Sequence, residues 1–239
     1  MNASHHDSPY RFGATAVVLD LDGTLVDSEP TYYRASLATL ARHGVTDFTW
    51  ADHEAYVGIS TLETVRSWRR TYGIEAPAAA LLDELNARYL DLARTDTHVF
   101  PQMRLFVERL HAAGVPMIVA SGSSPRAIEV VLSGTGLKAW LTRYVSADEV
   151  EHGKPAPDVF LEAARRLGVP PARCVVLEDA VPGVAAAHAA GMRCIALPYV
   201  AAQADDPAFA TADLLFEGGQ GEFTAREACA WLERTAPSA

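Results

Sequence analysis

Two aspartates, Asp20 and Asp22, end an apolar run in the segment AVVLDLDGTLVDSE, residues 16–29. The run predicts a buried strand over residues 16–19, and alternate residues of a strand point to the same side. Both carboxylates can therefore approach one site at the carboxyl end of this strand. Two acids placed together are electrostatically costly unless a metal ion or a covalent reaction uses them. The segment indicates a catalytic strand end.

The chemistry that this pair could perform is nucleophilic attack with proton transfer. A carboxylate at Asp20, oriented by a metal ion, can attack phosphorus and divide one difficult displacement into two easier ones. Asp22 can act as a general acid toward the leaving oxygen and then as a base toward water. A lone aspartate here would more often cap a turn, but Asp22 and the DGT sequence favour catalysis. Thr24 fits a ligand-binding turn and a plain turn about equally well.

A second pair of acids, Glu178 and Asp179, follows the buried-strand pattern VVL. Hard oxygen ligands of this kind suit Mg²⁺, which retains some waters and leaves positions for a phosphate oxygen. The alternative is that they complement the positive end of the following helix dipole. That alternative fits one of the acids better than both, and Asp179 is the stronger candidate ligand.

Ser121 follows the apolar run VPMIVA and opens the segment SGSSP. Serine is a preferred helix N-cap, but Pro125 marks the first helical turn and makes Ser124 the natural cap. Ser121 is then free to donate its hydroxyl, and Gly122 its amide, to a phosphate oxygen.

Lys154 is one of only two lysines, with Lys138, in a chain of 239 residues. It directly precedes a predicted helix start, where a cation is unfavourable unless an anion lies between the two. Its charge could neutralise a nucleophile and a transferring phosphoryl group. A solvated surface lysine is the alternative, and the GKPAPD context disfavours it.

The elements that must position these residues follow from the hydrophobic periodicity. After the first strand, apolar residues at helical spacing predict an all-helical region with no strand. From residue 101, helices and strands alternate, which is typical of a parallel sheet covered by helices on both faces. The predicted helices are 30–43, 61–72, 77–94, 101–113, 125–132, 157–167 and 182–190, and the later strands are 115–120, 141–146, 174–177, 193–197 and 213–216.

The composition fits a globular protein with a full core, since 49% of residues are hydrophobic and 21% are charged. The net charge of −10 argues against a nucleic-acid or anionic-membrane partner.

No signal-peptide pattern or membrane-spanning run is present, so we expect a cytoplasmic protein, and we expect a monomer. His5 and His6 lie in a polar leader and are not expected to be ligands. The three cysteines show no metal-ligand spacing, so buried free thiols are expected.

In order, DLDGT at Asp20, SG at Ser121, GKPAPD at Lys154 and ED at Glu178 resemble the motifs of the haloacid dehalogenase superfamily. The resemblance runs from about residue 15 to residue 216 and is strongest to the β-phosphoglucomutase and phosphoglycolate phosphatase branch, because VDSEP follows the first motif. It implies an α/β fold with a doubly wound, Rossmann-like parallel-sheet core, residues 14–27 and 97–235. A small helical cap, residues 28–96, is inserted after the first strand.

The resemblance also implies the division of roles. Asp20 is expected to be the nucleophile and Asp22 the acid and base, while Ser121, Gly122 and Lys154 hold the phosphoryl group. Mg²⁺ is expected to bind the Asp20 carboxylate, the Asp22 carbonyl oxygen and Asp179, with Glu178 binding directly or through water. The expected substrate contacts from the cap are Glu29, Tyr32, Gly58 and Ser60.

Departures from the superfamily's pattern narrow the expected chemistry. Dehalogenases lack the second aspartate, and phosphonoacetaldehyde hydrolases replace it and use a cap lysine, whereas this chain has Asp22 and no cap lysine. β-Phosphoglucomutases place a histidine where this chain has Tyr32, and an arginine for the second phosphate where it has Thr61.

The leading hypothesis is therefore a Mg²⁺-dependent phosphatase of a small phosphorylated metabolite, of the sugar, polyol or glycolate type. A sugar-phosphate mutase is the alternative. A phospho-accepting signalling module is a remote one, because receivers lack the helical insert.

Overall fold

The computed structural model describes Phe12 and residues 15–235, so His5, His6 and the first residue of the predicted core lie outside the described part. A six-stranded sheet runs through the described chain. Its strands are β1 (Ala16–Leu19), β4 (Met117–Ser121), β5 (Tyr144–Ser146), β6 (Cys174–Glu178), β7 (Arg193–Ala196) and β8 (Leu214–Leu215). They are arranged in the order β5-β4-β1-β6-β7-β8, and every pair of neighbours is parallel.

The register brings three of the predicted site segments to one edge of the sheet. Leu19 pairs with Val119 on one side and with Leu177 on the other, so β1, β4 and β6 end side by side. The topology reverses around β1, because the chain moves outward to β5 in one direction and to β8 in the other. Ligands of open α/β sheets bind at this kind of switch point.

Helices cover both faces of the sheet, as the alternating pattern predicted. Val17 and Leu19 of β1 pack into one buried cluster, while Ala16 and Val18 pack into the cluster on the other face. The first face is covered by α5 (Pro101–Ala112), α6 (Pro125–Gly134) and α9 (Ala225–Thr235), and the second by α7 (Asp158–Leu167) and α8 (Val181–Ala189). The predicted doubly wound fold class is confirmed.

Between β1 and α5 the chain forms a helical insert on a short ribbon. Strands β2 (Val26–Asp27) and β3 (His98–Val99) pair antiparallel and bracket four helices. The helices are α1 (Glu29–Arg42), α2 (Trp50–Glu54), α3 (Thr61–Tyr72) and α4 (Ala78–Asp96). Trp68 of α3 and Tyr89 of α4 are fully buried within this insert.

The structure corrects several details of the sequence-based prediction. It adds α2 and the β2–β3 ribbon, which are too short to be predicted, and it adds α9, an amphipathic helix that the sequence-based prediction omits. Strand β4 begins two residues later than expected, because Gly114 ends the preceding helix in a left-handed turn and Val115 hydrogen bonds back to Leu110. Among the described residues, no helix is both long and apolar enough to span a bilayer.

Candidate active site

The Lys154 ammonium lies between two carboxylates at the carboxyl end of the sheet. Its Nζ donates to Asp20 Oδ1 at 2.5 Å and to Glu178 Oε1 at 2.5 Å, with a third contact to the Ala120 carbonyl oxygen at 3.3 Å. The Lys154 side chain is only 5% exposed. Burial alone would lower the pKa of Lys154, but the two carboxylates more than compensate, so its pKa is raised and it stays charged.

Three acids gather beside this lysine. Single carboxylate oxygens of Asp20, Glu178 and Asp179 lie within 4.8 Å of one another. Thr24 donates to Asp179 Oδ1 at 2.8 Å, whereas Asp179 Oδ2 is buried and has no partner among the described residues. Burial raises the pKa values of Asp20 and Asp179 well above the usual carboxyl range, and neighbouring carboxylates add to that shift. One lysine therefore leaves this cluster short of positive charge.

The Asp22 carboxylate is not part of this three-acid cluster and is bound by hydroxyl groups. Its Oδ1 accepts from Ser28 at 2.6 Å, and its Oδ2 accepts from Ser123 at 2.7 Å and from Ser121 at 3.2 Å. Tyr89 adds a long contact to Oδ1 at 3.5 Å. The side chain of Asp22 is thus held at the cavity wall, apart from the other three acids.

Gly23 allows the chain to turn closely around Asp179. Its φ is +79°, and a Cβ atom there would lie 2.3 Å from Asp179 Oδ2. We expect Gly23→Ala to displace the Asp179 carboxylate. On the hypothesis that this acid cluster binds Mg²⁺, the variant should lose both activity and stabilisation by Mg²⁺. Thermal unfolding with and without Mg²⁺, together with phosphate-release kinetics, measures both effects.

Gly44 is the matched control for this substitution. Its φ is +83°, and a Cβ atom there would meet nothing within 4 Å. Gly44→Ala should lower the free energy of unfolding by about 1–2 kcal/mol, the cost of placing a non-glycine residue in the left-handed region. Its change in melting temperature on adding Mg²⁺ should equal that of the wild type. Equal behaviour of the two variants would contradict the role given to Gly23.

A cavity of about 600 Å³, including its open mouth, connects these core residues with the helical insert. Its core wall contains Asp20, Asp22, Gly122, Lys154 and Glu178. Its other wall, from the insert and the β4–α6 loop, contains Glu29, Tyr32, Ser36, His53, Tyr56, Gly58, Ile59, Thr61, Thr64, Leu85 and Ser123. A concave site lined by both apolar and polar side chains is typical of small-molecule sites.

Three of the four cap residues expected to contact substrate line this cavity, and one does not. Glu29, Tyr32 and Gly58 line it. The Ser60 hydroxyl instead accepts from the Glu63 amide at 3.3 Å and caps α3. Tyr32 stacks on Tyr89 with ring centroids 3.7 Å apart, and its hydroxyl lies 2.5 Å from Ser123 Oγ.

Ser121 and Asp179 are buried and are not among the residues that line the cavity. Ser121 is fully buried, and its Oγ also accepts from the Ser123 amide at 2.9 Å. The expected helix cap is confirmed, because the Ser124 side chain accepts from the Ala127 amide.

The sequence analysis missed three residues that contact the predicted site residues: His53, Ser28 and Ser123. His53 is 5% exposed and lies 2.8 Å from Glu29 through Nε2 and Oε2. Ser28 and Ser123 bind Asp22 from two different segments. For Ser28 and Ser123, the only signal in the sequence was their position next to the DGT and SG motifs. A hydrogen bond between residues that are distant in sequence leaves no local pattern.

Comparison with known families agrees with this geometry. The haloacid dehalogenase-like hydrolase family model matches residues 14–191 of the chain. The chain belongs to this family. The match contains all four motif segments, from Asp20 to Asp179, so the predicted membership of the haloacid dehalogenase superfamily and the prediction of a hydrolytic enzyme are confirmed.

Among characterised relatives of this haloacid dehalogenase-like hydrolase, fructose-1-phosphate phosphatase YqaB of Escherichia coli K12 is 38% identical over 188 residues, which are 74% of this chain and 92% of that protein. Hexitol phosphatase B of the same organism is 33% identical over 200 residues, 83% of this chain and 90% of that protein.

The fold is also found in solved structures. CbbY from Rhodobacter sphaeroides, crystallised with phosphate, superposes with a TM-score of 0.76 at 28% identity, covering 87% of this chain and 96% of CbbY. A β-phosphoglucomutase from Clostridium difficile superposes with a TM-score of 0.78 at 21% identity, covering 92% and 97%, and supports the fold alone.

Proposed function

We propose that this enzyme is a Mg²⁺-dependent phosphatase that hydrolyses small phosphorylated sugars or polyols through an aspartyl-phosphate on Asp20. One observation carries the proposal: Lys154 bridges Asp20 and Glu178 at the floor of a cavity whose wall also holds Asp22. The phosphatase names of the relatives at 38% and 33% identity support the same reaction class.

In the first step, a carboxylate oxygen of Asp20 attacks the phosphorus of the bound ester. Lys154 keeps this carboxylate oriented and places a fixed positive charge beside the transferring phosphoryl group. In a buried site, such a charge stabilises the transition state more strongly than it would in water. Gly122, in the cavity wall, offers its amide to a phosphoryl oxygen.

Asp22 moves the proton in both steps. Its carboxyl group gives a proton to the leaving alkoxide oxygen, and the resulting carboxylate then takes one from the water that attacks the phospho-Asp20. Ser28 and Ser123 hold the two oxygens of Asp22 at 2.6 and 2.7 Å, which keeps the group at the cavity wall through both steps.

The donor set fits a magnesium ion. Asp20, Glu178 and Asp179 offer clustered hard oxygens, and Asp179 Oδ2 is buried without a partner in the described chain. The resemblance implies that the Asp22 carbonyl oxygen also binds the metal, and the Asp22 side chain is engaged by serines. When bound, Mg²⁺ would supply positive charge that keeps the buried carboxylates ionised and balances the phosphoryl oxygens.

The cavity favours a phosphatase over a mutase. Among the described residues that line it, Lys154 is the only lysine or arginine. The resemblance to β-phosphoglucomutases implies that Thr61 stands where those enzymes place an arginine. With Lys154 assigned to the transferring phosphoryl group, the described lining offers no further lysine or arginine for the second phosphate group of a bisphosphate intermediate.

A phosphate-release assay with and without Mg²⁺ tests this function. We expect fructose 1-phosphate and hexitol phosphates to be hydrolysed with Mg²⁺, and activity to disappear with EDTA and return when Mg²⁺ is restored. We also expect Mg²⁺ to raise the melting temperature, because a ligand present at one hundred times its Kd adds about 2.7 kcal/mol to the free energy of unfolding. Full activity in EDTA, or isomer formation without phosphate release, would contradict the proposal.

A further inference from the structure

A buried acid–histidine pair forms the part of the cavity that belongs to the insert. Glu29 at the start of α1 and His53 in α2 are each 5% exposed, and both line the cavity. Their contact, Nε2 to Oε2, is 2.8 Å long. Moving such groups out of water costs free energy that their mutual contact often fails to recover. Because this pair lines the same cavity as Asp20 and Asp22, its position points to a role in binding a ligand.

Aromatic packing fixes the histidine of this pair. The rings of Tyr33, Trp50 and Phe48 lie 5.6, 5.3 and 6.4 Å from the His53 ring, centroid to centroid. The imidazole cannot turn away without disturbing these contacts. The Glu29 carboxylate, held by His53 through Oε2, is consequently a preorganised acceptor at the cavity wall.

The remaining side chains of the insert around this pair are uncharged. Ser36, Tyr56, Thr61 and Thr64 bring hydroxyl groups to the cavity lining, while Leu85 and Ile59 bring apolar surface. Hydroxyl groups beside short apolar patches match the alternation of O–H and C–H groups on a polyol or sugar skeleton.

The charges of the cavity oppose an anionic leaving group. Lys154 is already engaged by Asp20 and Glu178, and His53 by Glu29. A carboxylate or second phosphate on the leaving group would thus meet Glu29 and Asp22, and the described lining holds no lysine or arginine besides Lys154 to balance its charge. Unbalanced like charges of this kind reject a ligand strongly.

We propose that the Glu29–His53 pair is the specificity element of this enzyme: it binds hydroxyl groups of a neutral polyhydroxylated leaving group and excludes leaving groups that carry a carboxylate or a second phosphate. This inference rests on the proposed phosphatase function and narrows it. It removes glycolate-type phosphates from the expected substrates and gives His53 a role that no sequence motif indicates.

The test compares three substrates in three proteins. The substrates are fructose 1-phosphate, 2-phosphoglycolate and p-nitrophenyl phosphate, and the proteins are the wild type, Glu29→Gln and His53→Gln, all with Mg²⁺. We expect wild-type kcat/KM to be much higher for fructose 1-phosphate than for 2-phosphoglycolate. Losing a hydrogen bond to a charged group should lower kcat/KM for fructose 1-phosphate by about tenfold to hundredfold in Glu29→Gln. The value for p-nitrophenyl phosphate should stay near that of the wild type.

His53→Gln keeps a hydrogen-bonding side chain next to Glu29, so it should lower kcat/KM for fructose 1-phosphate by a smaller factor than Glu29→Gln does. Its kcat/KM for p-nitrophenyl phosphate should stay near that of the wild type. Glu63→Gln, the same change at an exposed position of α3 paired with Arg66, is the matched control and should leave all three rates unchanged.

The outcomes separate the two proposals. If wild-type protein hydrolyses none of the three esters, the proposed function fails. If it hydrolyses them but Glu29→Gln lowers all three rates equally, or none, the pair is structural and the specificity inference is overturned. Efficient wild-type hydrolysis of 2-phosphoglycolate would also overturn it.

Discussion

Asp20→Asn is expected to abolish phosphate release with Mg²⁺ while the protein stays folded. An amide oxygen is a poor nucleophile, and the substitution replaces the anionic carboxylate that would bond to phosphorus with an uncharged carboxamide. Loss of a covalent nucleophile costs enzymes several orders of magnitude in kcat, so we expect a fall of at least about a thousandfold. The shape of the side chain is unchanged, and Lys154 keeps its second partner, Glu178. Steady-state phosphate release, with thermal unfolding as the folding check, measures this.

Asp91→Asn is the control for this substitution. Asp91 is an exposed residue of α4, and the same chemical change there should alter neither the rate nor the melting temperature. If Asp20→Asn retained a substantial fraction of wild-type turnover, Asp20 would not be the nucleophile.

Lys154→Met is expected to damage both activity and stability. Methionine fills a similar volume without charge, which leaves Asp20 and Glu178 facing each other in a buried site. Removing one partner of a buried ion pair costs about 3–5 kcal/mol, which corresponds to a melting temperature lower by about 10 °C for a chain of this size. We expect kcat to fall at least about a hundredfold, as when one charge-stabilising group is lost. Melting in EDTA and kinetics in Mg²⁺ measure the two effects.

The second lysine of the chain provides the control. Lys138 forms a surface ion pair with Glu129, and exposed pairs contribute about 0–1 kcal/mol. Lys138→Met should therefore melt and turn over almost as the wild type does. Equal stability of Lys154→Met and Lys138→Met in EDTA would contradict the bridging role of Lys154.

Much of the fold could be predicted because its signals are local. The apolar runs before Asp20 and Glu178 are each long enough to mark a central strand, and proline and glycine punctuate the helices between them. The β2–β3 ribbon contributes only two residues from each strand, and Val26 meets Val99 from far along the chain. A pairing this short has no periodicity of its own, so only the folded chain reveals it.

The site likewise contains residues that the sequence could predict and residues that only the folded chain reveals. Asp20, Asp22, Lys154 and Asp179 were identifiable because each lies in a segment whose residue types would be unfavourable without a ligand. Ser123 and His53 carry no such mark, since serine and histidine are ordinary in a loop and in a helix. Their importance follows from partners that are distant in sequence, Asp22 and Glu29. Ser60 is a polar residue near the site that also serves as the helix cap of α3, a role the sequence analysis does not assign to it.

Trapping the phosphorylated enzyme tests the central assignment most directly. Wild-type protein turning over fructose 1-phosphate with Mg²⁺ is quenched in acid, reduced with borohydride, which converts an aspartyl-phosphate into homoserine, and mapped by peptide mass spectrometry. We predict homoserine at position 20, present during turnover and absent once the substrate is exhausted. Full-rate phosphate release with unmodified Asp20 throughout, or modification at another residue, would contradict the account.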